Sequence, residues 1–70
     1  MAAEPAVVVE ILPNAAYRVE LGSREQVVAH LAPAMERNFV RLRVRDDVMV
    51  ERTSLDPTRG RIVKVVRGRN

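Results

Sequence analysis

Two alternating runs stand four residues apart in this chain. Tyr17, Val19 and Leu21 alternate with Arg18 and Glu20, and in the run from Gln26 to Leu31 Val27, Ala29 and Leu31 alternate with Val28 and His30. A period of two sends successive side chains to opposite faces of an extended strand, and a helix cannot use it. The link between the runs, Gly22-Ser23-Arg24-Glu25, is the length of a hairpin connection. A Val-rich run from Ala6 to Leu12 comes before them and reads as another strand. Pro13-Asn14-Ala15-Ala16 closes it as a turn. Three strands with short links make a meander.

Pro33 breaks the pattern. Pro33-Ala34-Met35-Glu36-Arg37-Asn38 places good helix formers after a proline suited to a first helical position, which predicts one or two helical turns. Phe39 to Val44 alternates again as a short extended piece. Arg45-Asp46-Asp47 reads as a turn, Val48 to Glu51 as a fourth strand, Thr53 to Arg59 as a loop, and Gly60 to Val66 as a fifth strand. Three strands, a short helix and two strands is the order of an all-β, five-stranded OB-fold barrel with the helix between strands 3 and 4. An SH3-like barrel competes, but it usually lacks a helical insertion at that point. The expected division is a flexible N-terminus over 1–5, the OB-fold domain over 6–66 and a basic C-terminal tail over 67–70.

Seventy residues form one domain. A chain this short buries only roughly 60% of its unfolded surface, so no deep pocket or separate catalytic apparatus is expected. Cysteine is absent, which removes disulfides, thiolate catalysis and zinc–thiolate sites. A secreted domain of this size would usually need staples, so the expected compartment is the cytoplasm. No apolar run approaches the ~20 residues of a membrane span, and no signal peptide is visible.

Charge is more informative. Of 12 cationic side chains only one is Lys, Lys64. Arg37 to Arg45 holds four Arg and no acid; Arg59 to Arg69 holds four Arg and Lys64, again with no acid. Arginine is planar, permanently charged and bidentate, which suits phosphates and stacked bases. Tyr17 and Phe39 are the only aromatics, too few for a long base-stacking platform. Contacts dominated by arginine, on a folded RNA surface, follow from that balance. His30 is the only histidine and has no neighbouring Cys or Ser partner, so a partly buried, hydrogen-bonded histidine or an RNA contact is expected in place of a metal or catalytic role. Asp46 and Asp47 read as turn residues, and Met35 and Met49 as packing residues. Nothing assembles a nucleophile, base and oxyanion site, so no enzyme, cofactor or metal is expected.

Several segments in order resemble the bacterial translation initiation factor 1 family. They are Leu12-Pro13-Asn14 with Tyr17-Arg18-Val19-Glu20-Leu21, then Ala29-His30-Leu31, then Met35 with Asn38-Phe39-Val40-Arg41-Leu42. Asp46, Val48, Val50 and Glu51 follow, and then Asp56 with Gly60-Arg61-Ile62-Val63. From about Ala6 to Val63 the family pattern needs no insertion or deletion. The resemblance implies an OB-fold protein in the decoding (A) site of the small ribosomal subunit, contacting rRNA and a neighbouring ribosomal protein and assisting the other initiation factors. It implies RNA contacts at His30, Arg37, Asn38, Phe39, Arg41, Arg59 and Arg61. The basic segments add Arg43, Arg45, Lys64 and Arg67 as candidates. Asn38 as a helix cap and Phe39 as an anchor to the barrel are the structural alternatives. A monomer with no membrane partner is expected.

The departures from the family pattern are specific. Ala32-Pro33-Ala34 stands where the family usually has Ser-Gly-Lys, and Glu36 where a basic residue usually follows the Met. Arg45-Asp46 replaces a Gly-Asp turn, which matters if φ is positive there. Two other classes compete: a protein-interaction barrel whose arginines only solubilise it, and a general RNA chaperone, which the low aromatic content disfavours.

Overall fold

The computed structural model describes residues 3–33, 35, 41–53 and 55–66. Five strands form: β1 (Glu4–Leu12), β2 (Ala16–Leu21), β3 (Gln26–Leu31), β4 (Asp47–Arg52) and β5 (Arg59–Val66). They close into one barrel in the order β1-β2-β3-β5-β4, with β1 pairing back onto β4. β1–β2, β2–β3, β1–β4 and β4–β5 are antiparallel, while β3–β5 is parallel. This is the OB-fold. Closure leaves the sheet without an open edge.

The alternating runs behave as their period requires. Val19 and Leu21 of β2 and Val27 and Ala29 of β3 are buried, with Tyr17 and Leu31 packed against the same core. Ala6 and Val8 of β1, Val48 and Val50 of β4 and Ile62 of β5 complete the wall. The largest fully buried side chains, Val8, Val19, Val27, Val48, Val50 and Ile62, are all β-branched, which suits a pleated, tightly packed interior. Leu42, from the segment before β4, fills the barrel end at 5% exposure.

Two irregularities let the barrel close. In β1 the register passes from Val8↔Val19 to Glu10↔Arg18, leaving Val9 as an extra residue. In β5 it passes from Ile62↔Val50 to Lys64↔Met49, leaving Val63 as the extra residue. Such bulges bend a strand and shift its side-chain phase. Strict alternation from Ile62 would carry Lys64 into the core. With the bulge, Val65 packs inward and Lys64 is exposed.

Several sequence expectations shift in detail. β1 begins at Glu4, within the stretch expected to be loose, because Glu4 pairs with Val50 and its carboxylate accepts from Arg52 Nε at 2.8 Å. Of the expected helix, only Pro33 and Met35 are described; both are helical, and Met35 N–H donates to the Ala32 carbonyl at 2.9 Å. Its remaining residues lie outside the described ones. Residues 41–43, expected to be extended, form no strand. The turn expected at Arg45-Asp46-Asp47 spans Arg43 to Asp46, where Asp46 N–H donates to the Arg43 carbonyl at 3.1 Å. Asp46 Oδ2 accepts from Arg43 N–H at 2.9 Å, the turn role expected of it. Asp47 already belongs to β4.

Candidate nucleic-acid interface

Cross-strand register groups the candidate residues into outward rows. His30 on β3 is directly beside Arg61 on β5, and Arg61 is beside Glu51 on β4. One row over, Glu10, Arg18, Val28 and Arg59 follow one another across β1, β2, β3 and β5. Arg59 and Arg61 are two apart on one strand and therefore share the outer face. The outside of β2-β3-β5 is thus a cationic wall with an apolar residue, Val28, set in it. His30 is exposed, which removes the partly buried alternative for it.

The segment before β4 supplies a second group. Arg41, Arg43 and Arg45 are all exposed, while Leu42 between them is buried. Leu42 therefore pins this segment to the barrel and turns its arginines outward. Parallel pairing of β3 with β5, and antiparallel pairing of β5 with β4, put the end of β3 and the start of β4 at one end of the barrel. His30 and the 41–45 segment share that end, and Arg59 stands toward the other. Arg45 N–H donates to the Val8 carbonyl at 2.7 Å, and Val8 N–H donates to the Asp46 carbonyl at 2.9 Å, which ties the turn to β1. Arg45 has φ of 81°, a left-handed conformation that an L side chain adopts at a cost of about 1–2 kcal/mol. The family's glycine is absent here, yet the backbone keeps the conformation a glycine would favour.

Ion pairing sorts the arginines by role. Arg52 donates through Nε to Glu4 at 2.8 Å, through Nη2 to Glu4 at 3.3 Å and through Nη1 to Glu25 at 3.3 Å. That clasp joins β1, β4 and the β2–β3 hairpin, and the Glu4 hydrogen bond above all raises the guanidinium's pKa. Arg18 lies 3.5 Å from Glu10 and Arg59 lies 3.5 Å from Asp56. Among the described residues, Arg43, Arg45, Arg61 and Lys64 form no ion pair. Arg37, Asn38, Phe39 and Arg67 lie outside the described residues.

The loop before β5 is rigidly laced. Thr53 Oγ1 donates to the Asp56 carbonyl at 2.7 Å and accepts from Asp56 N–H at 3.1 Å. Asp56 Oδ1 accepts from the Thr58 hydroxyl at 2.6 Å and from Thr58 N–H at 3.1 Å. The Thr58 hydroxyl, then its N–H, hold the Asp56 carboxyl below its ordinary pKa of 3.8. This network aims Arg59 outward at the start of β5. The sequence marks Asp56-Pro57 as a loop without showing that it orients a site residue. The Asp-x-Thr spacing of a side-chain-capped turn is the signal that could have shown it.

A cleft of about 370 Å³, polar and apolar in equal part, opens between Arg18 and Arg59, lined also by Gln26, Val27, Val28 and Thr58. Arg18, a strand residue by its sequence pattern, thereby joins the site. A larger groove of about 630 Å³ lies over β1, where Pro5, Val7, Val9, Met49 and Val66 make an apolar floor, and no Arg or Lys among the described residues lines it. Among the described residues no cluster of His, Asp and Glu could hold a metal ion, and no helix is long and apolar enough to cross a membrane.

The family model for translation initiation factor 1A / IF-1 matches residues 2–70. Among solved structures the chain is similar to the solution structure of translation initiation factor 1 from the Wolbachia endosymbiont strain TRS of Brugia malayi. The two are 28% identical, the match covers 94% of this chain and 78% of that one, and the TM-score is 0.76.

Proposed function

Because the chain belongs to the translation initiation factor 1A / IF-1 family, we propose that it binds the decoding (A) site of the small ribosomal subunit through rRNA contacts and there assists the other initiation factors. It works in the cytoplasm as a monomeric, non-catalytic factor, with rRNA and a neighbouring ribosomal protein as its contacts. The observation that carries this reading is the separation of roles among the cations. Arg52 is spent on holding the barrel together, whereas Arg43, Arg45, Arg61 and Lys64 are exposed and form no ion pair with a described carboxylate. Guanidinium and ammonium groups without an ion-pair partner among the described residues are available for phosphate. The resemblance adds Arg37, Asn38, Phe39 and Arg41 to this surface, and the basic segment that follows β5 in sequence adds Arg67.

The test is co-sedimentation with small ribosomal subunits across a salt series, with unstructured RNA as competitor. Log affinity should fall linearly with log salt. Replacing Arg43, Arg45 and Arg61 together by Ala should lower the slope by roughly 2–3, at about 0.7–0.9 for each phosphate no longer neutralised. An unchanged slope, or complete displacement by unstructured RNA, would reject the specific docking surface. A protein-interaction barrel would show no subunit binding at low salt.

A further inference from the structure

We propose that the apolar groove along the outside of β1 is a docking site for an amphipathic α-helix of a partner protein, its apolar stripe seated on Pro5, Val7 and Val9 and its flanks carrying Lys or Arg against Glu20 and Asp47. Such docking rests on the reading of the protein as a factor that works beside others, and it uses the side of the barrel opposite the cationic wall.

The sequence of β1 is the first sign. β1 is antiparallel to both of its neighbours, β2 and β4. Antiparallel strands with one solvated face alternate apolar with polar residues. Pro5-Ala6-Val7-Val8-Val9 does not alternate. Ala6 and Val8 are buried in the core, whereas Pro5 and Val7 are exposed on the other face. The bulge at Val9 brings a third apolar side chain to the same groove. Met49 of β4, cross-strand from Pro5, and Val66 of β5 widen the floor. β1 is therefore apolar on both faces, the pattern of a strand that is covered on both.

Charge and barrel closure define the occupant. Cross-strand register runs Glu20, Val7, Asp47 and Val66 across β2, β1, β4 and β5. Adjacent strands stand about 4.8 Å apart, so the Cα atoms of Glu20 and Asp47 flank Val7 about 10 Å from each other. Glu20 is half-buried and has no ion-pair partner among the described residues. Lys64, cross-strand from Met49, stands outside the groove lining. Carboxylates on both banks of an apolar floor favour a cationic guest. A second copy docked face to face about a two-fold axis would set Glu20 and Asp47 against the same carboxylates. Closure leaves β1 without a free edge, so a guest strand cannot add to it. Among the described residues no aromatic side chain lines the groove to grip a polyproline segment. A helix remains, about 10–12 Å across with its side chains, which matches the spacing of the banks. Its i and i+4 residues rise about 6 Å, against about 6.6 Å between alternate residues of β1. In the closed order β1-β2-β3-β5-β4 the groove lies across the barrel from the β3–β5 seam, so a helix and RNA can be held at once.

The experiment titrates the full chain, methyl-labelled at Val and Met, with three Ala-based helical peptides of about 18 residues, or five turns. One carries a Leu stripe flanked by Lys, the second the same stripe flanked by Glu, and the third a Ser stripe flanked by Lys. The Lys-flanked Leu helix should shift the Val7, Val9, Met49 and Val66 methyls, and the other two should bind at least roughly tenfold more weakly. Val7→Lys removes the centre of the floor and repels the flanks, so it should abolish the shifts while binding to small ribosomal subunits persists. Glu20→Lys should cut the preference for Lys over Glu flanks roughly tenfold. Thermal melts check both barrels, and Glu20→Lys carries the test if Val7→Lys melts early. Unchanged binding of the Lys-flanked helix to both variants would overturn the site. So would methyl shifts that follow protein concentration with no peptide present, which would assign the groove to a second copy. Groove shifts on replacing Arg67 and Arg69 by Ser, again without peptide, would assign it to the chain's own tail and overturn the site as well. Helix docking without small-subunit binding would uphold the groove and reject the ribosomal reading; subunit binding without helix docking would do the reverse.

Discussion

Gly60 is the residue whose replacement should be felt most for its size. It lies in β5 between Arg59 and Arg61 and faces the interior, opposite Arg52 of β4 and Ala29 of β3. A Cβ there would stand 2.8 Å from the Glu51 carbonyl oxygen, 2.9 Å from Val50 Cγ1 and 3.3 Å from Val27 Cγ1. Val50 and Val27 are themselves buried, so they have nowhere to move, and the Glu51 oxygen is backbone. Overpacking of this kind costs about 1–3 kcal/mol, and the rigid neighbours put Gly60→Ala at the upper end. The reduced freedom of the unfolded chain returns about 0.4–1 kcal/mol. The net is a loss of about 2 kcal/mol, which in a domain of this size lowers Tm by roughly 8–16 °C. Circular-dichroism melts of the two proteins measure it directly. The same clash should push Arg59 and Arg61 out of register, so subunit affinity should fall as well. A Gly60→Ala protein that melts within about 3 °C of the parent would refute the close approach of β4 and β5 at this point.

Arg45→Gly should relieve the left-handed strain at φ 81°, so that the variant melts no lower than the parent even as removal of an exposed cation weakens small-subunit binding; a clear drop in Tm would show that the arginine stabilises the turn. Val19→Asp puts an unpaired carboxylate at a fully buried position and should cost several kcal/mol, enough to unfold a domain this small; a cooperative melt near the parent's would contradict the β2 assignment. Asp56 has a folded pKa held below its ordinary 3.8, so its contribution is present above pH 3.8 and is lost as pH falls through the lower folded value. The Thr58 amide should therefore exchange faster with solvent on acidification below that point, after correction for intrinsic exchange. Asp56→Asn should lose that dependence, and an unaltered pH profile in the variant would assign the effect to another group.

Strand identity was legible because each strand's face is decided locally. Tyr17-Val19-Leu21 and Val27-Ala29-Leu31 need only a core on one side to explain their period, and any fold that buries that side preserves it. The order of elements then pointed to the OB-fold, and the segments from Leu12 to Val63 pointed to the family. Turn chemistry was less legible. Gly22 suggested the bend of the β2–β3 hairpin, but among the described residues the left-handed ones are Asn14, Ala15, Arg24 and Arg45, and no described glycine has a positive φ. The glycine that matters, Gly60, is needed for a close approach to Glu51, Val50 and Val27 on other strands, which no local pattern announces.

What the sequence determined by itself was the set of strands, their inward faces and the excess of arginine over lysine. What only the tertiary structure decided was which arginine does what. Arg52 became a clasp because β1 and the β2–β3 hairpin brought Glu4 and Glu25 to it from 48 and 27 residues away. Arg18 and Arg59 became neighbours across Val28 because β3 pairs parallel with β5. Lys64 faces solvent because a bulge at Val63 shifts the phase of β5 by one residue. Burial along an unbroken strand is a property of nearest neighbours in sequence, whereas a bulge, an ion pair or a cleft is a property of register between distant segments. Register is chosen by the closure of the whole barrel.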